Sequence, residues 1–234
     1  MLYRNALPLT FARHGALKLR APLDFHFARS LQAVPIGLSE LPLAAQWYPI
    51  AFSDGEDCRP LALLGFRPGE NLFVDEGGEW QSGAYVPAVV RRFPFLLTSV
   101  EGKDVLLIET TPEILSEIED GIPLFEGKAP SAMTRSAMRL CRGMAADEAG
   151  TAGFVAALKD LDLLESRTAT VELSGGRRLS VSGFLTIDEG RFRALSDGVF
   201  LDLRRRGWLA SIYAQIHSTL NWSRLADRVG ARAA

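Results

Sequence analysis

The sequence predicts an α+β fold: an irregular, mostly antiparallel β-rich N-terminal half, and a helical C-terminal half that holds one β-hairpin. Three observations predict it. Up to about residue 127, short runs of β-formers recur roughly every ten residues between proline and glycine turns. After Gly127 the apolar residues shift to near-helical spacing. Within that second half, two strand-like runs flank Ser174-Gly175-Gly176, a hairpin-turn sequence. The chain has 234 residues, 47% hydrophobic and 23% charged, the profile of a globular protein with a sizeable core. We expect a single domain over 1–234, divisible into a β-rich part (1–127) and a helix-rich part (128–234).

Taken in order, residues 26–29 and 34–36 read as extended. Ser39, ahead of Glu40-Leu41-Pro42, reads as the N-cap of a short helix reaching Gln46. Residues 48–52 and 61–66 read as buried strands, Pro68-Gly69 as a turn and 71–74 as a further short strand. Glu76-Gly77-Gly78-Glu79 breaks the pattern. Glu101-Gly102-Lys103-Asp104 has turn chemistry and introduces a strand over 105–109. Beyond Gly127, two helices are predicted over 132–144 and 151–164. Strands over 168–173 and 179–185 form the hairpin. Asp188 caps a short helix over 189–196. Residues 197–229 read as two helices broken near Gly207, with Leu209, Ile212, Tyr213, Ile216 and Leu220 on one face. The last residues read as a frayed tail.

Several function classes find no support. A formal net charge of -2 gives no bulk attraction to nucleic acid or to an anionic membrane. Charge or proline interrupts every apolar run, so no transmembrane helix is expected. Arg13, His14, Lys18 and Arg20 interrupt the N-terminus, which reads as lacking a secretory signal. Cys58 and Cys141 are far apart and outside any CxxC or Cys/His spacing, which suits two free thiols in a reducing, cytoplasmic setting. His14, His26 and His217 show no metal-ligand spacing, and no metal or cofactor is expected. No G-x-S-x-G elbow, P-loop or dinucleotide fingerprint occurs, so no catalytic residue is assigned. Gly175-Gly176-Arg177-Arg178 lacks the Lys-Ser/Thr ending of a P-loop and reads as the hairpin turn. The carboxylates at Glu117, Glu119 and Asp120 read as a solvated face, and Asp188-Glu189 as a helix start.

Three basic clusters can be compared. Arg204-Arg205-Arg206 sits near a helix C-terminus, where cations are favoured. Arg177-Arg178 flanks a turn. Only Arg91-Arg92 is embedded among apolar residues, in the segment YVPAVVRRFPF (85–95). A guanidinium stays charged at any working pH and needs a partner. That partner is either a bound ligand or protein, or an internal carboxylate such as Asp75, Glu76 or Glu79. The aromatic residues around the pair are the types that dominate binding hot spots, although core packing uses them too. Arg91, Arg92, Tyr85, Phe93, Phe95 and Trp80 are therefore the candidate partner-binding residues.

Six motifs occur in a fixed order: YPIAF (48–52), LGFRPGENLFVDEGGEW (64–80), YVPAVVRRFPF (85–95), GIPLF (121–125), GFLTIDEGRFRALSD (183–197) and GWLASIYAQIHSTLNWSRL (207–225). In these the chain resembles the SapC family of bacterial proteins, over nearly its whole length. The resemblance implies one continuous family domain and an association with bacterial surface layers, and it brings no catalytic residues. It also implies companionship with outer-membrane receptor, tryptophan-halogenase-like and cupin-like oxygenase proteins. The leading expectation is a cytoplasmic, non-catalytic accessory protein that recognises a peptide or protein partner, linked to outer-membrane receptor or protein-modification systems. The alternatives are an enzyme or enzyme subunit in peptide or small-molecule modification, and a structural component of a surface layer reached by signal-independent export.

Overall fold

The structure, a computed structural model, describes residues 2–20, 24–117, 121–172, 176 and 178–233. Strand β1 (Ala6–Pro8), the single-turn helix α1 (Phe11–His14) and β2 (Lys18–Arg20) come first. A 3-10 turn at His26–Ala28 precedes β3 (Ala33–Pro35). A second one, Leu38–Glu40, runs directly into α2 (Leu41–Ala44). Then follow β4 (Ile50–Ser53), β5 (Pro60–Leu63), α3 (Ala88–Arg91), β6 (Phe95–Val100) and β7 (Lys103–Glu109). Four short strands, β8 (Leu115–Ser116), β9 (Gly121–Pro123), β10 (Phe125–Glu126) and β11 (Ala129–Pro130), lead to the long helix α4 (Ala132–Asp160). The chain continues through β12 (Leu164–Glu172) and β13 (Arg178–Ile187) and ends in α5 (Glu189–Arg193), α6 (Asp197–Arg205), α7 (Leu209–Ser218) and α8 (Asn221–Ala233).

The strands are antiparallel throughout. A five-stranded sheet in the order β12-β13-β4-β5-β3 combines strands from both halves of the chain, because β13 pairs with β4 through Phe184–Ser53 and Leu185–Phe52. Among the described residues there are also two three-stranded sheets, β1-β7-β6 and β8-β2-β9, and the β10-β11 pair. The β6-β7 hairpin closes on Glu101 and Gly102, both with positive φ (51° and 75°). Such a two-residue turn matches the twist of the strands it joins.

Buried amides bind α7 and α8 to the N-terminal half. Gln215 donates to the Ile50 carbonyl at 3.0 Å and accepts from the Ile187 amide at 3.2 Å. Ser218 accepts from the Ile50 amide at 2.9 Å, and Asn221 donates to the Ala45 and Tyr48 carbonyls. Around these bonds lies the main core, with Tyr48, Phe52, Leu64, Phe154, Leu158, Ile212 and Leu225. A second core gathers Phe93, Phe95, Ile108, Leu115, Leu124 and Cys141.

The fold class is the α+β arrangement the sequence predicts. Asp188 also caps α5, accepting from the Arg191 amide at 3.0 Å. Several elements differ. Residues 132–160 form one helix of 29 residues, capped by Ser131, rather than two. Residues 197–229 lie in three helices: Gly207, at φ 74°, makes one break and a turn at Thr219-Leu220 makes another. Leu220 is consequently 74% exposed and stands off the apolar face. The extended reading of 26–29 gives way to a 3-10 turn. The strand over 71–74 reduces to one bridge, Val74 with Trp80, because the Asn71 side chain bonds the Ala28 carbonyl and the Phe73 amide. Ser39 lies inside its turn, and its hydroxyl donates to Asp147 at 2.9 Å instead of capping. The predicted hairpin is present, but Leu173, Ser174, Gly175 and Arg177 fall outside the described residues, as do Glu119 and Asp120. Among the described residues, no helix is long and apolar enough to cross a membrane.

Candidate functional site

The segment 85–95 folds as a loop, the single turn α3 and the start of β6. Ala88, Val89 and Val90 are buried and seat the turn. Their burial leaves Arg91 exposed and Arg92 half-buried. A short helix leaves its first amides without internal partners. Here the Ala88 amide is taken by Glu40, a side chain from the turn before α2, at 2.7 Å. The same carboxylate accepts from the Tyr85 hydroxyl at 2.8 Å and from the Gly37 amide at 3.0 Å. Glu40 is only 8% exposed, so these three donors replace the water a buried carboxylate would need.

Tyr85 relays that anchor to Arg91. Its hydroxyl accepts from an Arg91 terminal nitrogen at 3.1 Å, while Arg91 Nε donates to the Val86 carbonyl at 2.9 Å. The guanidinium carbon stands 5.5 Å from the Tyr85 ring centre, within cation–π range. Burial, and then the bond to Glu40, push the Tyr85 phenol up to about 12, so it remains a protonated donor to Glu40. Arg92 lies 5.9 Å from the Tyr3 ring centre, and its buried Nε has no hydrogen-bond partner. The Tyr3 hydroxyl donates to the Phe95 carbonyl at 2.6 Å.

Among the described residues, neither arginine forms an ion pair with a carboxylate. Asp75 instead accepts from the Glu79 amide at 2.8 Å, inside the turn around Gly77 and Gly78. The internal pairing with Asp75, Glu76 or Glu79 does not form, because that turn folds onto itself.

Tyr85, Arg91 and Arg92 line a cleft of about 660 Å³ between α3, the loop before α2 and one face of α4. The α4 wall contributes Arg139, Leu140, Cys141, Met144 and Asp147; Leu140, Met144 and Asp147 recur at steps of four and three and so stack along the helix. Asp147 ties that wall to the opposite loop by accepting from the Ser39 amide at 3.1 Å and from its hydroxyl. A Cβ at Gly37 would overlap the Asp147 carboxylate, so a larger residue there would push that side chain off its bonds to Ser39. Cys141 has its thiol pushed up by burial, against the opposing effect of Arg92.

Trp80, Phe93 and Phe95 are buried away from the cleft. Trp80 donates to the Tyr48 hydroxyl at 3.2 Å and packs against Phe25. Phe93 stacks on Phe27 with ring centres 4.0 Å apart, and Phe95 belongs to the second core. These three position the segment. Sequence reasoning missed Glu40 and the whole α4 wall. The one local signal was Gly37-x-x-Glu40, the spacing at which a glutamate reaches back to the amide three residues before it. His14, His26 and His217 are absent from the cleft lining. Among the described residues, no group of three or more His, Cys, Asp or Glu side chains is placed to hold a metal.

The arrangement presents cationic N–H donors beside apolar side chains, held from below by Glu40 and Tyr85. Its chemistry is hydrogen-bond donation to an acceptor or anion. No curated protein and no solved structure matches the chain. The family model described as SapC matches residues 9–225 of the 234, and the chain belongs to the SapC family.

Proposed function

We propose that the protein is a non-catalytic accessory protein that captures a protein or peptide partner in the cleft between α3 and α4. The observation that carries this reading is the pair Arg91 and Arg92. Both line the cleft, and neither is neutralised by a carboxylate among the described residues. Arginine and tyrosine are the residue types through which protein partners are most strongly held. Cys141, the one thiol in the lining, is raised by burial away from its nucleophilic form and has no histidine beside it there. This setting supports recognition over covalent chemistry. The family context extends the reading to an accessory role beside outer-membrane receptor or protein-modification systems.

The test is quantitative affinity capture from the native organism, with wild type, Arg91→Ala and Arg92→Ala as baits of equal thermal stability. Partner recovery should fall several-fold for each variant. Unchanged recovery with both would sink the placement of the site.

A further inference from the structure

Resting on that reading of the cleft, we infer that its occupant is an extended segment of a partner polypeptide carrying an acidic side chain next to an aliphatic one. Arg59, Arg91, Arg92 and Arg139 all line the cleft. The carboxylates that share it are mostly committed. Glu40 is taken by the Gly37 and Ala88 amides and by Tyr85, and Asp147 by the Ser39 amide and hydroxyl. Glu148 stands exposed on the α4 wall. A guanidinium offers five N–H donors. Arg91 directs donors to Val86 and Tyr85, Arg139 one to Ser136, and Arg92 Nε none. Arg59 meets Asp57 at 3.7 Å with both side chains well exposed. The cleft thus holds more cationic donors than its own carboxylates satisfy.

The rest of the lining says what accompanies the charge. Leu43, Leu97, Leu140 and Met144 line the same space, and Leu43 is 50% exposed. They suit an aliphatic side chain. Gly143, also in the lining, has open space where a Cβ would stand, so a main chain can approach the α4 backbone closely. A volume of about 660 Å³ admits a few residues, not a domain. A carboxylate meets a guanidinium edge-on with two parallel bonds. A phosphate dianion would bring a second charge towards Asp147 and Glu148.

A random-peptide phage library panned on the full chain tests this. The enriched peptides are then synthesised with Glu, Gln or phosphoserine at the acidic position and titrated by fluorescence anisotropy. We expect enriched sequences to share Asp or Glu beside Leu, Ile, Val or Met. Glu→Gln in the peptide should weaken binding about tenfold or more, the loss of a charge-assisted contact. Arg92→Ala should produce a similar loss. So should Arg139→Glu, a substitution on an exposed helix face that keeps folding out of the question. Peptides that bind equally well with Glu or Gln, or at least tenfold tighter with phosphoserine, would overturn the acidic side chain and leave the cleft as a partner site. No enrichment, or peptides whose affinity ignores both Arg92→Ala and Arg139→Glu, would overturn the cleft reading and this inference together.

Discussion

Glu40 lines the cleft but commits its carboxylate to the protein's own donors. Its Oε1 accepts from Tyr85 and Ala88 and its Oε2 from Gly37. Glu40→Gln keeps one oxygen for the first two donors but turns an amide NH2 towards the Gly37 N–H, leaving that half-buried N–H and the buried NH2 without an acceptor. Such a donor costs about 1–3 kcal/mol. Urea denaturation should show a lower midpoint by that amount with an unchanged slope. A stability equal to wild type would show that Glu40 is not the anchor. Two histidines make a separate prediction, with opposite signs. His26 is exposed, bonded to Asp24 at 2.9 Å and to the Glu76 carbonyl at 3.1 Å, and Asp24 raises it above its ordinary value. The stability it adds is complete below the unfolded value of about 6.5 and fades as pH rises through the folded one. His14 is buried, which lowers it. Its contribution is complete above about 6.5 and fades as pH falls towards the folded value. Relative to wild type, His26→Gln should therefore lose most melting temperature at acidic pH. His14→Gln should flatten the acid side of the profile. Parallel profiles for all three proteins would refute both assignments.

At the scale of elements, what was legible follows from how local each cause is. The strands β4 and β5, the α5 cap and the β12–β13 hairpin were legible because their determinants lie within a few residues. The α4 helix was not. The sequence pattern leaves a gap over 145–150 between two helices, and Gly143, Gly150 and Gly153 weaken this stretch, since each glycine costs a helix about 1 kcal/mol against alanine. The helix stays whole because its first half packs on the second core through Met133, Met138 and Cys141, and its second half on the main core through Phe154, Val155 and Leu158. The cleft divides the same way. Arg91, Arg92 and Tyr85 stood out because charge amid apolar residues is a local anomaly. Glu40 meets Ala88 across 48 positions and Asp147 meets Ser39 across 108, and nothing nearby in sequence announces such contacts. Trp80, Phe93 and Phe95 show the converse limit. Aromatic residues beside arginines look alike whether they line a groove or hold its floor in place.

For the whole molecule, the compositional change near residue 127 does not separate two sheets or two cores. Strand β13 is hydrogen-bonded to β4, Gln215 joins both strands to α7, and α4 runs about 43 Å from one core to the other. Leu2 and Phe27 pack against both cores as well. Each half therefore lacks part of the surface that would bury its apolar residues, and unfolding should be one event. Phe154, fully buried against Phe52 and Trp208, tests this at one point. Phe154→Ala should cost about 3–5 kcal/mol, and the loss should be felt by both halves. Circular dichroism, which follows the helices, and tryptophan fluorescence, to which Trp47 and Trp80 contribute from the N-terminal half and Trp208 and Trp222 from the other, should then shift together to the same lower midpoint. Fragments 1–127 and 128–234 should each fail to show a cooperative melt alone. Separate midpoints in the variant, or a fragment that melts cooperatively, would instead make that half an independent domain and the cleft a boundary between two folding units.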